Sequence, residues 1–226
     1  MELVAIILWN LWNNRNGATF AGSYRDPLSL ASLSMNFLHQ YRDAISNPTH
    51  GSITSTHYQA TRTHWTKPRM GFVKANFDGA IFPSEGFFGI GVVVRDDAGN
   101  FIAGLTKKIP GVLAPDVIEA YAAKFGTKLL VELGYSHVAL EGDNLKVIKM
   151  LQLCDSDDSA CGVLVEDVLQ LLRSFAKWET TWIPRSLNSA AHSFARNTCT
   201  ALDDYLWNLS PPSFVLSALQ ADLIPS

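Results

Sequence analysis

The chain predicts an α/β fold: one mixed five-stranded sheet with helices packed on it. Three observations lead there. Between positions 72 and 109, three β-rich runs are separated by short turn signals, the pattern of an antiparallel meander. From Asp116 onward, helical periods alternate with short strands, and strands joined through helices add parallel to a sheet by right-handed crossovers. Within the first run, Lys74-Ala-Asn-Phe-Asp-Gly-Ala80, an aspartate interrupts a segment that otherwise reads as a buried strand. An ionised carboxylate in such a place is costly unless it is hydrogen-bonded, paired or bound to a metal. A strand-end Asp-Gly turn is the alternative.

The elements follow in order. Positions 1–14 read as a helix with Leu3, Ile7 and Leu11 on one side, and 28–45 as a second, with Leu30, Leu33, Phe37 and Tyr41 recurring at helical spacing before Asn47-Pro48 stops it. These make a helical N-terminal segment, 1–48. Positions 49–70 are rich in Thr, Ser and His, without period, and read as a linker. His50, His57 and His64 within it lack metal-ligand spacing. The folded domain is expected over 71–204. Its strands fall at 72–78, 89–95 and 101–109, with Asp96-Asp-Ala-Gly-Asn100 as the turn between the second and third. A helix over 116–133 buries Ile118, Ala122, Phe125 and Leu129, and Gly134 is its stop. Strand four at 137–141, a short helix at 144–153, a solvated loop at 154–160, a helix at 163–175, strand five at 179–183 and a closing helix at 188–202 complete it. Positions 205–226 read as a C-terminal tail.

Composition narrows the function. Hydrophobic residues at 47% and charged residues at 17% describe a chain that buries a sizeable core, which excludes wholesale disorder. The formal net charge of -3 gives no overall attraction for nucleic acid, so any such binding rests on a local basic patch. Cys154, Cys161 and Cys199 form no CxxC pair and fit a reducing compartment. The apolar opening Leu3-Val-Ala-Ile-Ile-Leu-Trp9 has no basic flank before it and is too short to span a bilayer. An intracellular protein of nucleus or cytoplasm, not secreted and without membrane contact, is expected.

Three acidic residues stand at element boundaries: Asp78 in strand one, Glu119 in the first turn of the first domain helix, and Asp143 just after strand four. If strands one and four are neighbours, all three converge on one end of the sheet. Clustered carboxylates repel one another and so imply bound cations. Each residue also has a purely structural explanation. Asp116-Val-Ile-Glu119 fits a capping box, and Asp143 fits the N-cap of the helix that follows it. The coincidence of all three in this order is what points to chemistry.

The segments Asn76-Phe-Asp-Gly-Ala80, Gly89-Ile-Gly-Val-Val-Val-Arg95, Ile118-Glu-Ala120, Leu140-Glu-Gly-Asp-Asn144 and Pro184-Arg-Ser-Leu-Asn-Ser-Ala-Ala-His-Ser-Phe-Ala195 together resemble the type 1 ribonuclease H fold. More narrowly they resemble the reverse-transcriptase-like version found in plant retroelement-derived proteins. The resemblance covers about 71–202 and implies helices on both faces of the sheet, with strands 1–3 antiparallel and strands 1, 4 and 5 parallel. Leu11-Trp-Asn-Asn-Arg-Asn16 resembles the segment upstream of that domain in such proteins, so 1–48 reads as the remnant of a reverse-transcriptase region.

The resemblance implies an endonuclease that hydrolyses the RNA strand of RNA/DNA hybrids. Asp78, Glu119 and Asp143 would hold two Mg²⁺ or Mn²⁺ ions, one activating a water and the other stabilising the leaving 3′ oxygen. The chain departs from the family at the fourth acidic position, where His192 stands. That histidine would touch the second metal or shuttle a proton, or be a helix-surface residue without a role. Gly79, Ala80, Asn144, Lys146, Arg185 and Asn188 are the residues expected at the nucleic acid, by 2′-hydroxyl and phosphate contacts. The histidine and the short connection Trp182-Ile-Pro-Arg185 leave open a catalytically weak or silent nucleic-acid-binding or interaction domain. No protein partner is specified for the N-terminal helices.

Overall fold

The computed structural model of the chain describes residues 64–200 and 204–223, with isolated positions between 4 and 35. The helices expected over 1–14 and 28–45, and most of the linker, lie outside the described residues.

The strands are β1 (Val73–Phe82), β2 (Phe87–Arg95), β3 (Phe101–Pro110), β4 (His137–Gly142), β5 (Lys177–Trp182) and β6 (Tyr205–Asn208). They form one sheet in the order β5-β4-β1-β2-β3-β6, with β1, β2, β3 and β6 antiparallel in turn and β4 and β5 parallel beside β1. The helices are α1 (Pro115–Glu132), α2 (Leu145–Leu153), α3 (Ala160–Leu172), α4 (Ser189–Asn197) and α5 (Leu216–Leu223).

Strand alternation sorts the sheet into two faces. Val73, Ala75 and Phe77 of β1 and Ile90, Val92 and Val94 of β2 pack under α1, α2 and α3, with Ile118, Leu130, Val147, Ile148, Val165 and Leu169 closing an apolar core. The opposite face is covered by α4 and α5, where Val93, Ala190, Ala191, Phe194, Val215 and Leu219 cluster. On that face β2 carries glycine. A Cβ on Gly91 would lie 2.1 Å from the Ala195 amide nitrogen and 2.3 Å from the Ala191 carbonyl oxygen, so only glycine lets α4 lie this close on the strand.

Four differences from the expected map have physical causes. β1 continues to Phe82, and the chain reverses at Pro83–Gly86 with Gly86 at φ 71°, so Asp78 sits in mid-strand and no Asp-Gly turn forms. α1 begins at Pro115, whose fixed φ and missing N–H suit the first helical position. α3 begins at Ala160, because Ser159 accepts a hydrogen bond from the Gly162 amide and caps it there. The sheet has six strands rather than five, since Tyr205–Asn208 pairs with Ala103–Thr106.

The folded unit also extends beyond 71–204 at both ends. Trp65, expected in the linker, is buried and donates its indole N–H to Asn76 Oδ1. Val215 and Leu219, expected in the tail, are buried beneath α4. Among the described residues no helix is long and apolar enough to cross a membrane.

Candidate active site

The site is built around Asp78, which β1 carries on the α4 face of the sheet. β1 pairs with β4 only from Val73↔Val138 to Asn76↔Glu141, so from Phe77 onward its outer edge has no strand partner. Helix α1 crosses that edge closely. A Cβ on Gly79 would lie 2.4 Å from Ile118 Cγ2, so this glycine admits the helix and brings Glu119 to Asp78. The Gly79 amide then donates to Asp78 Oδ1 at 2.8 Å and to Glu119 Oε2 at 3.2 Å.

Asp143 arrives from the end of β4, and its backbone carbonyl accepts the Trp182 indole N–H at 2.9 Å. The cap of α2 is Asn144, whose Oδ1 accepts from the Lys146 and Val147 amides. Capping by the next residue leaves the Asp143 carboxylate available. The capping box is absent too: the N-cap of α1 is Ala114, and Glu119 turns to Gly79 instead of back along its own helix.

One carboxylate oxygen of each of Asp78, Glu119 and Asp143 lies within 4.8 Å of the others. Glu119 Oε1 is buried without a hydrogen-bond partner. Burial, then the charges of Asp78 and Asp143, hold the Glu119 carboxyl well above its ordinary range, and burial with the charge of Asp78 raises that of Asp143. Three hard oxygen donors, one orphaned and two with disfavoured ionised forms, fit a divalent cation of the Mg²⁺ or Mn²⁺ type.

His192 joins this cluster from α4. Its Nδ1 is 2.6 Å from Asp78 Oδ2, and the Asn188 carbonyl accepts its backbone amide. Asn188 itself is buried and donates its side-chain amide to the Phe77 carbonyl oxygen at 2.8 Å. It ties α4 to β1, with its side chain turned into the protein. Ala80 is likewise buried in a cluster with Ala195, so its side chain meets protein. Asn144 is held as the α2 cap. Lys146 is exposed with its ammonium on Asp116 Oδ2 at 2.6 Å, and exposed Arg185 lowers the Asp143 carboxyl against the two upward influences.

Reading the sequence missed the polar group buried behind the site on the same face of β1. Lys74 Nζ bonds Glu141 Oε1 at 2.7 Å and the Thr66 carbonyl at 2.6 Å, while Asn76 Nδ2 bonds Glu141 Oε2 at 3.2 Å. Arg95 bonds Asn76 Oδ1 at 2.8 Å and Asp222 Oδ2 at 2.6 Å and stacks 3.4 Å over the Trp65 ring. The signal was present in Lys74 and Asn76, polar residues alternating with apolar ones ahead of Asp78.

Comparison with known proteins agrees with this geometry. A family model described as reverse transcriptase-like matches residues 76–198. An Arabidopsis thaliana protein named as a putative ribonuclease H protein is 26% identical over 223 residues; the match takes in 99% of this chain but only 33% of that relative's length. The structure of ribonuclease H1 from the archaeon Halobacterium salinarum superposes with a TM-score of 0.53 at 26% identity, covering 57% of this chain and 98% of that one. LC11-RNase H1, solved in complex with an RNA/DNA hybrid, superposes at 0.50 with 18% identity over 57% of this chain and 99% of its own. With its matched segment covering more than half of its length, the chain belongs to the reverse transcriptase-like family and carries a ribonuclease H-like domain.

Proposed function

We propose that the domain is a divalent-metal-dependent endoribonuclease that cuts the RNA strand of RNA/DNA hybrids. The observation that carries this reading is the convergence of Asp78, Glu119 and Asp143 at the unpaired edge of β1. These three residues would hold the cation, as a pair of Mg²⁺ or Mn²⁺ ions by analogy with the family. Bound there, the ions supply charge stabilisation and an acidified water for phosphodiester hydrolysis. The chain's own groups prepare that chemistry. The Gly79 amide fixes the oxygens of Asp78 and Glu119, Trp182 fixes the backbone of Asp143, and His192 orients Asp78 through Oδ2. Arg185, exposed and acting electrostatically on Asp143, would meet a substrate phosphate.

The test is cleavage of a labelled RNA/DNA hybrid by wild type and Asp78→Asn in Mg²⁺ and in Mn²⁺, with DNA duplex as control. Wild type should cut the RNA strand. The variant should lose at least a thousandfold, about 4 kcal/mol of transition-state stabilisation, with an unchanged far-UV spectrum. Undiminished cutting by Asp78→Asn would sink the assignment.

One observation favours a second reading. The contact of His192 with Asp78 puts an imidazole where the family resemblance expects another acid, which removes a negative charge from the cation site. A domain that binds hybrids without cutting them fits that change. Hybrid binding in Ca²⁺, with no product in either Mg²⁺ or Mn²⁺, would select it.

A further inference from the structure

The open edge of β1 leads from the carboxylates to a second built feature on the same face. Phe82, at the end of β1, pairs with Phe87, at the start of β2, and their rings stack at 4.7 Å. Arg196 lies over the Phe82 ring at 4.9 Å, and Lys108 Nζ lies over the Phe87 ring at 3.9 Å. Both phenylalanines are buried beneath these two long side chains.

The register explains why the cations meet there. Lys108 of β3 pairs with Gly89, and Gly89 with Ala80, so Lys108 stands on the same face as Asp78. Helix α4 runs along β1. Asn188 is tied to Phe77, His192 to Asp78, Ala195 lies against Gly89, and Arg196 covers Phe82. Arg196 is therefore one turn beyond His192 on the same side of the helix. Phe82 is four residues along β1 from Asp78, about 13 Å at the rise of a strand.

The pairing state of these cations differs from that of their neighbours. Lys107, on the other face, is paired with Asp204, and Lys124 with Asp167. Among the described residues neither Lys108 Nζ nor the Arg196 guanidinium has a carboxylate within ion-pair distance. Each is held by an aromatic face, which positions a cation without neutralising it. Two positioned, unneutralised cations on the α4 face of the sheet, in a protein of net charge -3, are a place for a polyanion.

We infer that Arg196 and Lys108, seated on the Phe82–Phe87 stack, form a backbone-phosphate subsite that holds a nucleic-acid strand roughly four nucleotides from the carboxylates, judged by axial rise per nucleotide. The subsite reads charge and not base identity, so it sets affinity and register on the strand. It rests on the proposed hybrid substrate, and it adds an anchor on this side.

The experiment is binding of a fluorescent RNA/DNA hybrid by the full chain in Ca²⁺, followed by anisotropy across a salt series, with cleavage in Mn²⁺ measured in parallel. The double variant Arg196→Gln with Lys108→Gln keeps much of the aliphatic cover on the rings, and thermal melting checks that it folds. Its binding should weaken by about tenfold at low salt, and its slope of log affinity against log salt should fall by about two. Arg196→Lys should restore most of both. Cleavage should suffer in KM with kcat nearly kept. A folded double variant with wild-type slope and affinity overturns the subsite, whatever the cleavage result. A reduced slope together with no cleavage by wild type would keep the subsite and overturn the ribonuclease reading.

Discussion

Two charged groups lie on the same face of the same strand and are built on opposite terms. Lys74 and Asn76 belong to a closed set in which two cations, Lys74 and Arg95, meet two carboxylates, Glu141 and Asp222. Two residues further on, Asp78 meets Glu119 and Asp143, three carboxylates bonded by the Gly79 amide and by His192 but, among the described residues, by no lysine or arginine. The first set is charge-balanced and shielded by Trp65. The second carries surplus negative charge at an open strand edge. A buried charge that finds its partner inside the chain is explained by the fold, whereas surplus charge of one sign asks for a partner from outside. That difference is what makes Asp78, rather than its equally buried neighbours, the centre of the proposed site.

The largest effect expected from breaking the balanced set comes from Arg95→Met. Arg95 is fully buried; its burial pushes the guanidinium pKa down and Asp222 pulls it back up, so removal strands Asp222 and frees one side of Trp65 and Asn76. Breaking a buried pair from one side costs about 3 kcal/mol or more. Chemical denaturation should show that loss. Hybrid cleavage per folded molecule should stay within a few fold of wild type, because no atom of the carboxylate cluster depends on Arg95. Loss of cleavage in step with the carboxylate variants would show that the two sets are one.

The comparison also explains what was legible in the sequence. Asp78, Glu119 and Asp143 stood out because each is polar where the strand or helix period asks for an apolar residue or a boundary, and that misfit is local. Asn188 looked like a surface residue because its partner, the Phe77 carbonyl, is more than a hundred positions away. Trp65 and Asp222 were assigned to linker and tail for the same reason: their burial depends on Arg95 and Asn76, and nothing in their own neighbourhoods repeats with a period. β6, at four residues, is too short for alternation to declare itself, and its pairing with β3 comes from tertiary context. The five-stranded expectation fell one short on that account.

A smaller change separates the two sets mechanically. Gly91 pairs with Asp78 across β1 and β2, and α4 rests on it. In Gly91→Ala the new methyl meets helix backbone, which has no rotamer to adjust, so α4 must lift. Overpacking of this kind costs about 1–3 kcal/mol. Since α4 carries His192 and Arg196, cleavage and hybrid affinity should fall by more than the loss of folded protein accounts for, the reverse of the Arg95→Met pattern. Equal proportional losses of fold and activity would mean that α4 does not position the site.

The smallest effect tests the surplus charge itself. Burial and the neighbouring carboxylates raise the folded-state pKa of Glu119 and of Asp143. Between the unfolded and folded values the native chain holds protons that the unfolded chain has released, so without divalent cations stability should fall as pH rises through that interval. The loss is complete above the folded values. Neutral Glu119→Gln removes one of the buried charges. In chelator, its melting temperature should therefore change less between pH 5 and pH 8 than that of wild type, and at pH 8 it should be the higher of the two. For a chain of this size each kcal/mol of relieved repulsion raises the midpoint by about 2–4 °C. Added Mn²⁺ should raise the wild-type midpoint at pH 8 and move the variant much less, since a cation supplies to the carboxylates what the glutamine has made unnecessary. Parallel melting profiles for the two proteins would mean that the cluster stores no repulsion, and the contrast with the balanced set on the same strand would then rest on geometry alone.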